Sequence, residues 1–182
     1  MTCIWAGRSR EDWDSYRKDV ERTYLEIIEL APSLSERLKG ARQLSPFKGT
    51  SKLLNFYRQS FGRGWALVGD AAYHRDPLPG MGIGDAFLGA QLLADALIDL
   101  PGDATRLDSS LAAYQSAFRE RTMPIFDYTL KAASLRDPTS SIPIYQRVAQ
   151  SPEETTRFMD VLAGNIPFKE FFNPANIARL LT

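Results

Sequence analysis

The stretch VGDAAYHRDPLPGMGIGDAF, from Val68 to Phe87, is where the pattern of the chain changes. Before it, WALV at residues 65–68 is a continuous apolar run, which suits a strand buried on both faces. After it, the pattern from Met81 to Leu100 is helical, with Ile83, Phe87, Ala90, Ala94 and Leu97 on one face. Leu88, Leu92, Leu93 and Ile98 spread round the rest, and a helix apolar nearly all round is a buried one. Between strand and helix lie Asp70, Pro77 and the glycines at 69, 80, 82 and 84, with the chain's single histidine, His74. Glycines let a backbone approach a ligand closely and adopt positive φ. Free N–H groups at a helix start favour negative charge, and Asp70 at the strand end is placed to accept hydrogen bonds from hydroxyls. The arrangement suits a phosphorylated or polyol-bearing cofactor. It is not a Walker A loop, because Gly84 is followed by Asp85 rather than Lys-Ser/Thr. It is not the Rossmann fingerprint either, because Asp85 stands where the third glycine belongs.

Outward from this loop, organisation is mainly helical. TCIWAG at residues 2–7 reads as a short strand, which needs a sheet to satisfy its backbone. Ser9-Arg10-Glu11-Asp12 resembles a capping box with Asp in place of Glu. Trp13, Tyr16, Val20, Tyr24 and Ile27 follow at helical spacing, as the core face of one amphipathic helix ended by Pro32. A short helix runs from about Ser33 to Gly40. Residues 41–64 are loop-rich, with two short strands. Pro101-Gly102 stops the helix after the glycine loop. A longer helix from about Asp108 carries Leu111, Tyr114, Phe118 and Ile125, with Pro124 expected to kink or break it. Ser151-Pro152-Glu153-Glu154 is a helix start with an N-cap, proline at N1 and acids in the first turn. Asn173-Pro174 opens a last helix.

The chain has 182 residues, 44% of them hydrophobic and 24% charged, enough for one domain with a core. Acids and bases balance at a formal net charge of zero, so the basic excess of a nucleic-acid binder is missing. One cysteine, Cys3, excludes a disulfide framework and a Cys-rich metal site, and reads as a buried structural thiol. No run approaches the ~20 apolar residues of a membrane span, and no signal peptide is readable. The expectation is a cytoplasmic protein without a nucleic-acid, membrane or metal partner.

The loop also resembles the second FAD motif of flavoprotein monooxygenases related to p-hydroxybenzoate hydroxylase. That motif runs Gly-Asp-Ala-Ala-His, then Pro, then Gly-x-Gly. Gly69-Asp70-Ala71-Ala72, Pro77, Gly80 and Gly82 match it in register. The wider WALVGDAAYHRDP…GIGDAF…AQLLADAL, continuing to LAGNIPFKEFF, is similar to a bacterial branch of FAD-dependent oxidoreductases. The resemblance implies Asp70 at the ribityl chain of FAD, Pro77 at the ring face, and backbone contacts from Gly69, Gly80, Met81, Gly82 and Ile83. Three positions depart from the pattern. Tyr73 replaces the histidine, with His74 one place later; Gly84 replaces an asparagine; Gly89 replaces an aspartate.

The implied fold class is α/β (α+β), mostly helical: the C-terminal fragment of a p-hydroxybenzoate hydroxylase-like FAD-binding fold, with a few strands from incomplete sheets. Residues 1–63 would be a remnant of the substrate-binding region, 64–100 the second FAD motif, and 101–182 a helical C-terminal segment. The GxGxxG unit that binds ADP in the family is not in this chain, so the implied partners are a separate N-terminal half, or a homo-oligomer, and a small-molecule substrate. NAD(P)H is the implied hydride donor, and hydroxylase, halogenase and reductase chemistry stay open. The competing reading is a catalytically incompetent remnant, or a partner-binding fragment without flavin. His74 reads as solvated, with a proton shuttle near the flavin as the alternative, and Arg75 and Asp76 as a loop charge pair of little weight. Tyr73 either bonds a cofactor or covers the ring edge. Phe47, Phe56 and Tyr57 read as packing, with a substrate pocket as the alternative. Phe168, Phe171 and Phe172 read as a docking anchor. No nucleophile–base pair is readable, and no catalytic residue is named.

Overall fold

The structure is a computed structural model that describes residues 2–98, 100, 104–135, 139 and 141–182. Among these the chain is mostly helical, with two small antiparallel sheets, an α+β composition. It divides into two compact units, Met1–Leu53 and Leu54–Thr182.

In the first unit, residues 2–7 are not a strand. No strand among the described residues offers them a ladder, and a lone extended segment stays irregular. Cys3 is exposed, not buried. The expected single helix is interrupted. A 3-10 turn at Arg10–Asp12, capped by Ser9, leads into α1 (Trp13–Tyr16), and α2 (Val20–Glu29) starts afresh. The interruption lies at Asp19, whose carboxylate accepts from Arg22 N at 3.1 Å and so caps α2. Thr23 and Ile28 are the buried residues of α2, while Trp13, Tyr16 and Tyr24 are half-buried. Pro32 opens α3 (Pro32–Leu38) at its first position, and Gly40 follows it with φ +76°. Tyr24 donates to Ile4 O, and Phe47 packs on the Tyr24 ring.

In the second unit, β1 (Phe56–Tyr57) pairs with β4 (Tyr73–His74), and β2 (Phe61–Gly62) with β3 (Trp65–Ala66). The WALV run was expected to be a strand buried on both faces. Only Trp65 and Ala66 are strand, and Trp65 is 47% exposed. The run splits instead: Trp65 faces outward, while Leu67 packs against the aromatic core and its carbonyl accepts from the Tyr114 hydroxyl at 2.7 Å. Helix α4 (Gly82–Leu97) follows the glycine loop and packs on α5 (Ala104–Ala132). Its expected burial all round does not occur: only Asp85 and Gly89 are buried. The stop expected at Pro101-Gly102 lies outside the described residues.

Leu111, Tyr114, Phe118 and Ile125 of α5 are buried as the spacing predicts. Pro124 sits inside the helix without ending it. The first core is aromatic: Tyr73 meets Phe118 edge-on at 5.5 Å and lies 4.6 Å from Tyr57. Gly89 of α4 makes this packing possible. A Cβ there would stand 3.3 Å from Phe118 Cε2. A second core joins α6 (Ile142–Gln150), α7 (Pro152–Ala163), α8 (Phe168–Phe171) and α9 (Pro174–Leu181). Ser151 accepts from Glu154 N at 3.3 Å, and Asn173 from Asn176 N at 2.9 Å, so both expected helix starts are capped. Phe171 is fully buried between these helices, with Phe168 and Phe172 packed against it, as an anchor should be.

Candidate functional site

The loop between β3 and α4 is shaped by local hydrogen bonds. Val68 is extended, and Gly69–Ala71 form a 3-10 turn closed by Ala72 N on Gly69 O at 3.0 Å. Tyr73 and His74 then run as β4 beside β1. Asp76 turns the chain: its N–H donates to Asn55 Oδ1 at 2.6 Å, and its Oδ1 accepts from Leu78 N at 3.0 Å. Gly80 N closes a turn on Pro77 O at 2.8 Å, and Gly80 holds φ +69°, where a side chain would be strained. Helix α4 begins two residues later with no side chain capping it, so its first N–H groups are left for the space in front of them.

That space is a cleft of about 270 Å³. Of the seven residues expected from the sequence, Gly69, Asp70, Pro77, Gly80, Gly82 and Ile83 line it. Met81 does not; it is the N-cap of α4. The lining also holds Tyr73 and His74, both weighed from the sequence, and Arg75, Asp76, Asp85 and Ala86, which the sequence did not place at a cofactor.

Arg75 is not paired with its neighbour Asp76. Its Nε donates to Asp85 Oδ2 at 2.8 Å and its Nη1 to Thr129 Oγ1 at 3.1 Å. Its Nη2 lies 2.8 Å from the same Asp85 oxygen, close enough for an ion pair but off the line of a hydrogen bond. Both side chains are buried, so a guanidinium and a carboxylate tie the end of β4, α4 and α5 together in the wall of the cleft. Burial pushes the Asp85 carboxyl up, and the adjacent Arg75 pulls it back down. No sequence signal marks this pair, because a turn and the start of α4 lie between its members.

Tyr73 lines the cleft while its ring belongs to the aromatic core. The residue is 3% exposed, and its hydroxyl is buried with no hydrogen-bond partner among the described residues. Burial raises its pKa far above the ordinary tyrosine value, so it stays a neutral O–H donor. Tyr57 has a partner: Thr122 Oγ1 donates its one hydrogen to Phe118 O, so the 2.8 Å contact with Tyr57 is a donation from the tyrosine. Phe56 stacks on His74 at 5.8 Å.

His74 is not simply solvated. Its Nδ1 is hydrogen-bonded to the Leu54 carbonyl oxygen. A carbonyl only accepts, so Nδ1 carries the hydrogen, and the neutral ring keeps Nε2 as an acceptor.

The cleft is poor in free positive charge. Asp70, Asp76 and Asp85 stand against Arg75, and Arg75 is already engaged by Asp85. Such a lining suits hydroxyls and N–H edges rather than phosphates. The chain matches no protein-family model, no curated protein and no solved structure. No helix among the described residues is long and apolar enough to cross a membrane.

Proposed function

We propose that this chain contributes the ribityl and isoalloxazine side of a FAD site in a p-hydroxybenzoate hydroxylase-like FAD-dependent oxidoreductase or monooxygenase acting on a small organic substrate, with NAD(P)H as hydride donor. One observation carries the reading: six residues picked from the sequence for flavin contact converge on one cleft at the start of α4. Their types fit part of the cofactor. The exposed Asp70 is an acceptor for ribityl hydroxyls, and the uncapped start of α4 offers N–H groups and a positive dipole end to an anionic ring edge. The orphaned Tyr73 hydroxyl is a donor in the same wall. The cleft does not fit the pyrophosphate or the adenosine. Its volume is below the roughly 300–1,000 Å³ of a drug-sized pocket, and it has no free cation for phosphates. Those groups fall to a separate N-terminal GxGxxG-bearing half.

Bound flavin would supply hydride and oxygen chemistry. This chain's residues orient it: Asp70 holds the polyol, Pro77 presents a flat apolar face, and the α4 amides favour negative charge. The test is titration of the chain with FAD, followed by flavin fluorescence, beside Asp70→Ala. Saturable binding weakened about tenfold by Asp70→Ala, the loss of a good hydrogen-bond acceptor, supports the reading. A folded chain that leaves flavin fluorescence unchanged refutes a flavin site held by this chain alone.

A second reading, a partner-binding fragment without flavin, is favoured by the apolar face that α4 leaves uncovered.

A further inference from the structure

Five residues of α4 repeat at spacings of four and three: Ile83, Phe87, Ala90, Ala94 and Leu97. All five are exposed, Ile83 at 76% and Phe87 at 72%, and Ile98 beyond them at 74%. The opposite side of α4 packs on α5 through Gly89, Leu88 and Leu92. The stripe is therefore a heptad seam with no partner inside its own unit.

We propose that the occupant is a second copy of this chain, through antiparallel pairing of the two α4 helices. The residue order carries the choice. Two copies of α4 aligned about a point between Leu88 and Gly89 set Phe87 against the partner's Ala90 and Ile83 against the partner's Ala94. By symmetry, Ala90 and Ala94 meet the partner's Phe87 and the partner's Ile83. Every layer then joins one large and one small side chain, the arrangement that lets facing helices interdigitate. A parallel pair would put alanine on alanine and Phe87 on Phe87.

Charge does not oppose the contact. The stripe holds no ionisable residue, the chain has a formal net charge of zero, and antiparallel helices oppose their dipoles. Among the large side chains of the stripe, exposure is greatest at Ile83 and Phe87, which the pairing would cover. Leu97 runs past the partner's Ile83 to the partner's Gly80, which lies at the lip of the cleft. Pairing would so add an apolar wall to each cleft. The inference does not depend on what the cleft holds.

Sedimentation equilibrium of the full chain tests it, with circular dichroism to verify the fold of each variant. The wild type should be a reversible dimer at micromolar to tens-of-micromolar concentration. Ala90→Phe adds apolar surface, yet it overfills the layer opposite the partner's Phe87, so it should weaken dimerisation by about tenfold or more. Phe87→Ala combined with Ala90→Phe exchanges the two sizes and should restore it. A wild type that stays monomeric to millimolar concentration overturns the proposal. So does open-ended aggregation, or an Ala90→Phe chain that associates as tightly as the wild type.

Discussion

Arg75 and Asp85, ten residues apart, meet at 2.8 Å in the wall of the cleft, and neither side chain is more than 9% exposed. The pair fixes the direction in which β4 leaves the sheet and the rotation of α4 about its axis. The cleft between them is shaped by both.

Removing one member strands a charge in a dry site. Asp85→Asn and Arg75→Leu should each cost about 3–5 kcal/mol. The double replacement Arg75→Leu with Asp85→Leu should cost clearly less than the sum, because it leaves no lone charge. Urea unfolding of the four chains checks this. Additive losses would mean that the two groups do not interact.

Gly89 lets α4 close on Phe118, and Phe118 cannot retreat because Tyr73 and Tyr114 hold its other sides. Gly89→Asp, which restores the residue of the resembled motif, should destabilise the protein by about 3 kcal/mol or more through overpacking and an unpaired buried charge. A melting temperature within a degree or two of the wild type would contradict the helix contact.

Burial raises the pKa of Tyr57, Tyr73, Tyr114 and Tyr128 above the ordinary tyrosine value. A pKa higher in the folded chain means that the native state holds its protons longer. This contribution to stability is complete below about pH 10, the unfolded tyrosine value, and is lost as pH rises through the folded values. The urea midpoint should therefore hold up to about pH 10 and fall above it. Absorbance at 295 nm should show part of the tyrosine ionising only as the chain unfolds. Full ionisation of all seven tyrosines in the folded chain near pH 10 would refute the burial.

With one histidine in the chain, imidazole ¹⁵N resonances need no assignment. They should report the Nδ1–H tautomer at high pH, set by the Leu54 carbonyl. His74→Asn should keep that donor bond and the fold, while His74→Ala should lose the bond at a cost of about 1 kcal/mol. An Nε2–H tautomer would place the ring differently.

What was legible in the sequence is what local chemistry settles. Ser151 and Asn173 cap their helices because a side chain needs to reach only three residues along. The glycine loop announces a cleft because positive φ and an uncapped helix start are properties of the segment itself. Phe118 and Ile125 declare their burial by spacing alone. Arg75 was misread because Asp76 is its neighbour in sequence, and only the course of β4 and the turn at Pro77–Gly80 bring Asp85 to it. The burial of α4 was misread because composition states how apolar a helix is, and not whether anything lies against each side. Thr2–Gly7 has the composition of a strand, but strands exist in pairs. His74 reads as solvated in the sequence because its partner, Leu54 O, is a backbone atom and leaves no mark in residue types.

Every residue that lines the cleft falls between Gly69 and Ala86. Closing a loop of that length takes well under a microsecond and little chain entropy. The cleft thus rests on low-contact-order structure, which forms early relative to pairings between distant segments. Its anchor across to Thr129 on α5 comes later. A refolding chain would acquire its binding surface before its stability, and a ligand present at that moment would find a receptor still being tightened.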